Sequence, residues 1–145
     1  MEVEVINISK NPLPQYARTG DAGMDVFANV EEAVVIKAGE RALIPTGLKV
    51  GIPVGYEIQV RPRSGLALKK GITVLNTPGT IDAGYRNEVG VILMNHSNED
   101  FIVNPGDKIA QIVLKKFETI EWKEVEELGG YDRGGGFGHT DENHG

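Results

Sequence analysis

Cysteine is absent from this 145-residue chain, which excludes disulfides and thiolate metal sites and fits a reducing compartment. Long apolar runs are also absent, and none approaches the ~20 residues that a membrane-spanning helix needs. The opening Met1-Glu2-Val3-Glu4-Val5 is acidic and alternating, unlike a signal peptide, so a cytoplasmic protein without membrane attachment is expected. Positive charge is scarce. With 15 Lys and Arg against 21 Asp and Glu, the net charge is -6, the wrong sign for displacing phosphate counterions from nucleic acid. The few arginines are unevenly placed: Arg61, Arg63, Arg86 and Arg133 sit beside glycine, proline or turn residues. An acidic chain with arginine focused at loops is suited to one small anion in one pocket.

Helical periodicity is almost missing as well. Tyr56-Glu57-Ile58-Gln59-Val60-Arg61 alternates strictly, which puts Tyr56, Ile58 and Val60 on one face of a strand. Short apolar runs recur at Met24–Val30, Val34–Ile36, Ala42–Ile44, Leu48–Ile52, Ile72–Leu75, Val89–Met94, Phe101–Val103 and Ile109–Leu114, separated by Gly, Pro and Asn turn signals. This pattern predicts an all-β domain of many short strands: a sandwich, jelly roll or barrel. The one helical candidate is Ser64–Lys70, with Ser64 as its N-cap. After Leu128 the composition shifts to Gly129-Gly130-Tyr131-Asp132-Arg133-Gly134-Gly135-Gly136-Phe137-Gly138-His139-Thr140, too rich in glycine to fold alone. The expected division is a β domain over 1–128 and a flexible arm over 129–145. A cation and an aromatic among glycines fit an arm that closes on a ligand carrying both a phosphate and a flat ring; a frayed tail is the plainer reading.

Five stretches carry chemistry. Thr19–Val26 holds Asp21 and Asp25, which could equally be solvated turn residues. Arg61-Pro62-Arg63-Ser64-Gly65 ends a strand and begins the helix, where outward amides attract anions; a solvent-facing cap is the alternative. Gly79–Val89 puts Asp82 and Tyr85 at the tip of an expected β-hairpin between two apolar strands. Gln111, inside the apolar run Ile109–Leu114, needs hydrogen-bond partners, either in the core or on a ligand. The glycine-rich arm is the fifth.

Taken in order, these five closely resemble the five motifs of the trimeric deoxyuridine triphosphate nucleotidohydrolases, from about Ala22 to Thr140. The most specific parts are Pro62-Arg63-Ser64-Gly65-Leu66-Ala67, Gly79-Thr80-Ile81-Asp82-Ala83-Gly84-Tyr85-Arg86 and Arg133-Gly134 with Gly136-Phe137-Gly138. The resemblance implies a jelly-roll-like (β-clip) subunit of a homotrimer with shared active sites. It implies Mg²⁺-assisted hydrolysis of dUTP to dUMP and pyrophosphate, which keeps uracil out of DNA and supplies dUMP for dTMP synthesis. It assigns Asp82 to the attacking water, Tyr85 to the face of the deoxyribose, and Asn76 with the hairpin backbone to the uracil edge. Arg63, Ser64, Gly65 and Gln111 match phosphate contacts, and Asp25 matches an acid that reaches the metal through water. In the arm of another subunit, Arg133 matches a phosphate clamp and Phe137 a ring stacked on uracil, followed by Gly138; His139 and Thr140 fall near the terminal phosphate.

The chain departs from the family pattern at three places. Asn87 replaces a usual glycine, and asparagine is expected to tolerate the left-handed turn. The arm is one residue shorter between Arg133 and Phe137, and two acids, Asp141 and Glu142, follow directly after Thr140. Two competing readings are a dCTP deaminase, which shares the fold but has a different arginine–serine motif, and a non-catalytic jelly-roll binding protein.

Overall fold

The computed structural model describes residues 1–138. In chain order it forms β1 (Glu4–Asn7), β2 (Gly23–Phe27), β3 (Val34–Ile36), β4 (Arg41–Pro45), β5 (Leu48–Gly51), β6 (Tyr56–Arg61), α1 (Ser64–Lys70), β7 (Ile72–Val74), β8 (Gly79–Ile81), β9 (Gly90–Asn95), β10 (Phe101–Val103) and β11 (Lys108–Lys116). A four-stranded sheet, β2-β11-β6-β8, and a three-stranded sheet, β4-β9-β7, are joined by the ribbons β1-β5 and β3-β10. All strand pairings among the described residues are antiparallel. This is the expected all-β, jelly-roll-like subunit with one short helix.

The alternation read from β6 is the alternation that packs it. Ile58 and Val60 are buried, whereas Glu57, Gln59 and Arg61 face outward and are only partly covered. Ile58 lies beside Leu114 and Val60 beside Ile112, so the inner face of the sheet is apolar across strands. Ile44, Val91, Leu93, Ile72 and Val74 of the other sheet join the same core. Each such side chain contributes roughly 1.5–3 kcal/mol on burial. The paired burial of Ile109 and Ala110 follows from a register shift between Lys108 and Ala110 against β2.

Three expectations change. The stretch 79–89 is not the tip of one hairpin. The flanking strands β7 and β9 do pair, Thr73 with Met94, but Gly79–Ile81 leaves them and joins β6 as the edge of the other sheet. Ser64 is not the N-cap: Arg63 occupies that position in extended geometry, and no side chain caps the turn. Asn87 needs no left-handed tolerance, since Phe137 is the one non-glycine at positive φ among the described residues. The reversal here is made instead by the Tyr85 amide donating to Asp82 O at 3.1 Å.

At its other end α1 stops at Gly71, whose φ of 66° suits glycine and whose amide closes onto Ala67 O at 3.1 Å. Lys69 and Lys70 oppose the partial negative charge of that end.

Candidate functional site

One group of site residues forms where β6 runs into α1. The register sets Asp25, Gln111 and Arg61 side by side across β2, β11 and β6. Their side chains therefore share the outer face of the sheet, because successive residues alternate faces. Gln111 is half-exposed there rather than held in the core, so its amide is open to a ligand. Arg63, just past β6, folds back so that its Nε donates to Asp25 Oδ1 at 3.1 Å. Lys108 Nζ lies 3.8 Å from the other carboxylate oxygen. Asp25 is thus an acid between two cations, a relation that sequence spacing did not reveal.

Ser64 and Gly65 are exposed beside this row. Helix geometry leaves the first amides of α1 without intrahelical partners, and they point outward. A Cβ on Gly65 would meet nothing within 4 Å, so packing inside the chain does not call for glycine. An approaching ligand would. Together these groups offer amides, a hydroxyl, an amide side chain and a guanidinium to an anion.

The second group lines a cleft of about 170 Å³ among Val60, Val74, Asn76, Gly79, Thr80, Ile81, Tyr85, Val89 and Gly90. Gly79 sits at a close approach: a Cβ would stand 3.3 Å from both Asn76 Nδ2 and Val60 Cβ, which would have to give way slightly. The Tyr85 hydroxyl donates to Glu88 O at 2.9 Å, which holds the ring against its own turn. The Arg86 guanidinium donates to Ala83 O within the same turn. Asp82, exposed, follows directly on the lining residue Ile81. The cleft is apolar on one side with amide groups at its edge, which suits a flat polar ring.

The two groups use different faces of β6. Val60, on the inner face and paired with Gly79 of β8, lines the cleft, whereas the next residue, Arg61, is on the outer face beside Gln111.

The remaining candidates lie beyond the sheets. From Lys115 to Gly138 every residue is exposed, including Trp122 and Phe137, and no strand or helix forms after Lys116. Gly134 donates its amide to Asp132 Oδ1 at 2.8 Å. Among the described residues, Arg133 and Phe137 make no hydrogen bond or ion pair with the other candidates. His139 and Thr140 lie outside the described residues.

A family model described as dUTPase matches residues 9–141. The chain is 57% identical over 141 residues to the deoxyuridine 5'-triphosphate nucleotidohydrolase of Fusobacterium nucleatum, covering 97% of each. To the protein of the same name from Finegoldia magna it is 52% identical, covering 97% of this chain and 99% of that one. Similar solved structures include the dUTPase of Staphylococcus bacteriophage 80alpha with dUPNHPP, at a TM-score of 0.83 and 28% identity over 95% of this chain and 97% of that one. A mutant dUTPase from phage phi11 of S. aureus, described for the coordination of a structural Mg(II) ion, gives a TM-score of 0.79 at 29% identity, over 90% and 100% of the two chains.

Proposed function

The chain belongs to the dUTPase family, and on that footing we propose that it is a dUTP diphosphatase releasing dUMP and pyrophosphate in the cytoplasm. The single observation that carries the reading is the pair of half-sites: an anion-binding row at the start of α1, and a ring-sized cleft with an acid at its edge. Their placement on different faces of β6 supports a homo-oligomer, a trimer by family resemblance, in which one chain's cleft faces another chain's phosphate row. The arm, residues 129–145, then closes over a neighbour's site, bringing Arg133 to phosphate, Phe137 to uracil, and Gly138, His139 and Thr140 toward the terminal phosphate.

In this reading Asp82 positions a water and takes its proton as the water oxygen bonds to the α-phosphorus. The bridging P–O bond breaks in line and its electron pair leaves with pyrophosphate. Arg63, the Ser64 hydroxyl, the Gly65 amide and Gln111 hold the outer phosphates as charge develops there. Asn76 and the backbone of β8 and the turn after it read the uracil edge, which leaves polar groups unpaired if cytosine enters. Tyr85 packs beneath the deoxyribose.

Among the described residues there is no group of three His, Asp or Glu that could enclose a metal ion. Mg²⁺ keeps most of its waters and commonly arrives on substrate phosphates with one or two carboxylates nearby, so the single carboxylate of Asp25 fits it. When bound, Mg²⁺ neutralises phosphate charge.

The reading is tested by pyrophosphate release from dUTP, dCTP, dTTP and UTP, each with and without Mg²⁺. Release from dUTP alone, and only with Mg²⁺, is expected. Ammonia from dCTP would point to a deaminase.

A further inference from the structure

We propose that Arg61 is a further phosphate-binding residue, reaching the β- and γ-phosphates from the side of Gln111 opposite Arg63. The inference rests on the reading of Gln111 and Arg63 as phosphate contacts and adds to it a residue to which the family resemblance gives no role. Its first support is placement. Gln111 is flanked in register by Asp25 on β2 and by Arg61 on β6, all on the outer face of the sheet. Arg63 is drawn to the Asp25 side by its 3.1 Å bond, which leaves the other flank of Gln111 to Arg61. An anion bound at the Gln111 amide therefore has a guanidinium on either hand.

The second support is how Arg61 is held. Its Nε and Nη2 both donate to Gln59 Oε1, at 3.1 and 2.7 Å. This fork onto one oxygen turns one edge of the guanidinium toward Gln59 and, among the described residues, leaves both Nη1 donors without a partner. Ordering the side chain in advance lowers the entropy lost when a ligand binds. The partner is a neutral amide. Among the described residues Arg61 forms no ion pair, whereas Arg63 and Lys108 share the carboxylate of Asp25. Arg61 is thus a half-buried, oriented cation whose charge no carboxylate offsets, next to a proposed phosphate contact. A guanidinium is the group best matched to a pair of phosphate oxygens, so lysine should serve poorly in its place.

The test is calorimetric binding of an imido analogue of dUTP, of pyrophosphate and of dUMP to the full-length protein, with oligomeric state and melting temperature measured alongside. Arg61→Gln should weaken the analogue and pyrophosphate about tenfold to a hundredfold, the range for losing a charge-assisted hydrogen bond. Binding of dUMP should hold, since it lacks the outer phosphates. Arg61→Lys should recover only part of the loss, and Gln59→Leu should show a smaller loss of the same kind. Arg63→Gln is the control. Unchanged analogue binding in Arg61→Gln, with weakened binding in Arg63→Gln, would overturn the role of Arg61 alone. No weakening in either variant would overturn the phosphate row itself. A loss of assembly in Arg61→Gln would make Arg61 an interface residue and overturn the proposal.

Discussion

Arg63 and Asp25 are 38 positions apart in sequence, yet the Nε of the first donates to Oδ1 of the second at 3.1 Å. The contact arises because β2 and β6 flank the same strand, β11, so the residue that follows β6 can lean back across Gln111. Arg63 Nη1 also reaches Lys108 O at 3.5 Å, so among the described residues it is Nη2 that remains for a ligand. In the proposed site Asp25 therefore orients an arginine as well as standing near the metal.

Asp25→Asn keeps the shape and removes the charge. Its stability should change by no more than about 1 kcal/mol, because the pair is partly exposed. The KM for dUTP should rise about tenfold through a misdirected Arg63, the Mg²⁺ concentration for half-maximal rate should rise with it, and titrations of both will show this.

Asp82→Asn should bind dUTP almost normally and lose roughly 10²–10⁴ in kcat, the contribution typical of a positioned base. Single-turnover kinetics beside equilibrium binding separate the two effects. A variant with full turnover would remove Asp82 from the chemistry.

Tyr85→Ala should narrow the preference for dUTP over UTP by about tenfold or more, since a packed ring that leaves no room for a hydroxyl would be gone. Tyr85→Phe loses only the bond to Glu88 O and should keep most of that discrimination. The comparison of kcat/KM for the two substrates decides it.

Truncation after Leu128 should cripple hydrolysis and leave assembly intact, because residues 129–138 are all exposed and form no strand or helix. An unaffected rate would reduce the arm to a tail.

Asn95→Ala should behave in the opposite way. Asn95 is fully buried at the end of β9; its amide donates to Ile36 O and Glu99 O, and its carbonyl accepts from the Ser97 amide and hydroxyl. Stranding those partners should cost about 2–4 kcal/mol, visible in denaturant unfolding with KM unchanged.

Much of this architecture was legible in the residues. Strict alternation located β6, and β3, β10 and α1 fall on the residues expected, because each is a short run between strong turn signals. β8 was missed because Gly79-Thr80-Ile81 is brief, begins with glycine and reads as part of a turn; only its pairing with β6 makes it a strand. Asn95 lies at the junction of an apolar run and a polar turn, so its burial had no local signal. Gln111 was read correctly as unusual in its strand, but which face it occupies depends on register with β2 and β6. Arg61 drew attention only for its neighbouring proline; its partner Gln59 sits two residues back, where alternation returns to the same face. That the cleft and the phosphate row use different faces of β6 depends on strand pairing and could not be read along the chain.

That division leads to the central claim, that the acid and the phosphate row of one working site come from different chains. Asp82→Asn and Arg63→Gln proteins, each nearly inactive alone, should regain activity when unfolded together and reassembled. With random mixing in a symmetric oligomer, about a quarter of the sites should pair an intact Asp82 with an intact Arg63. Pyrophosphate release from the mixture at about that fraction of the wild-type rate is the predicted result. A mixture no more active than the two variants apart would contradict it.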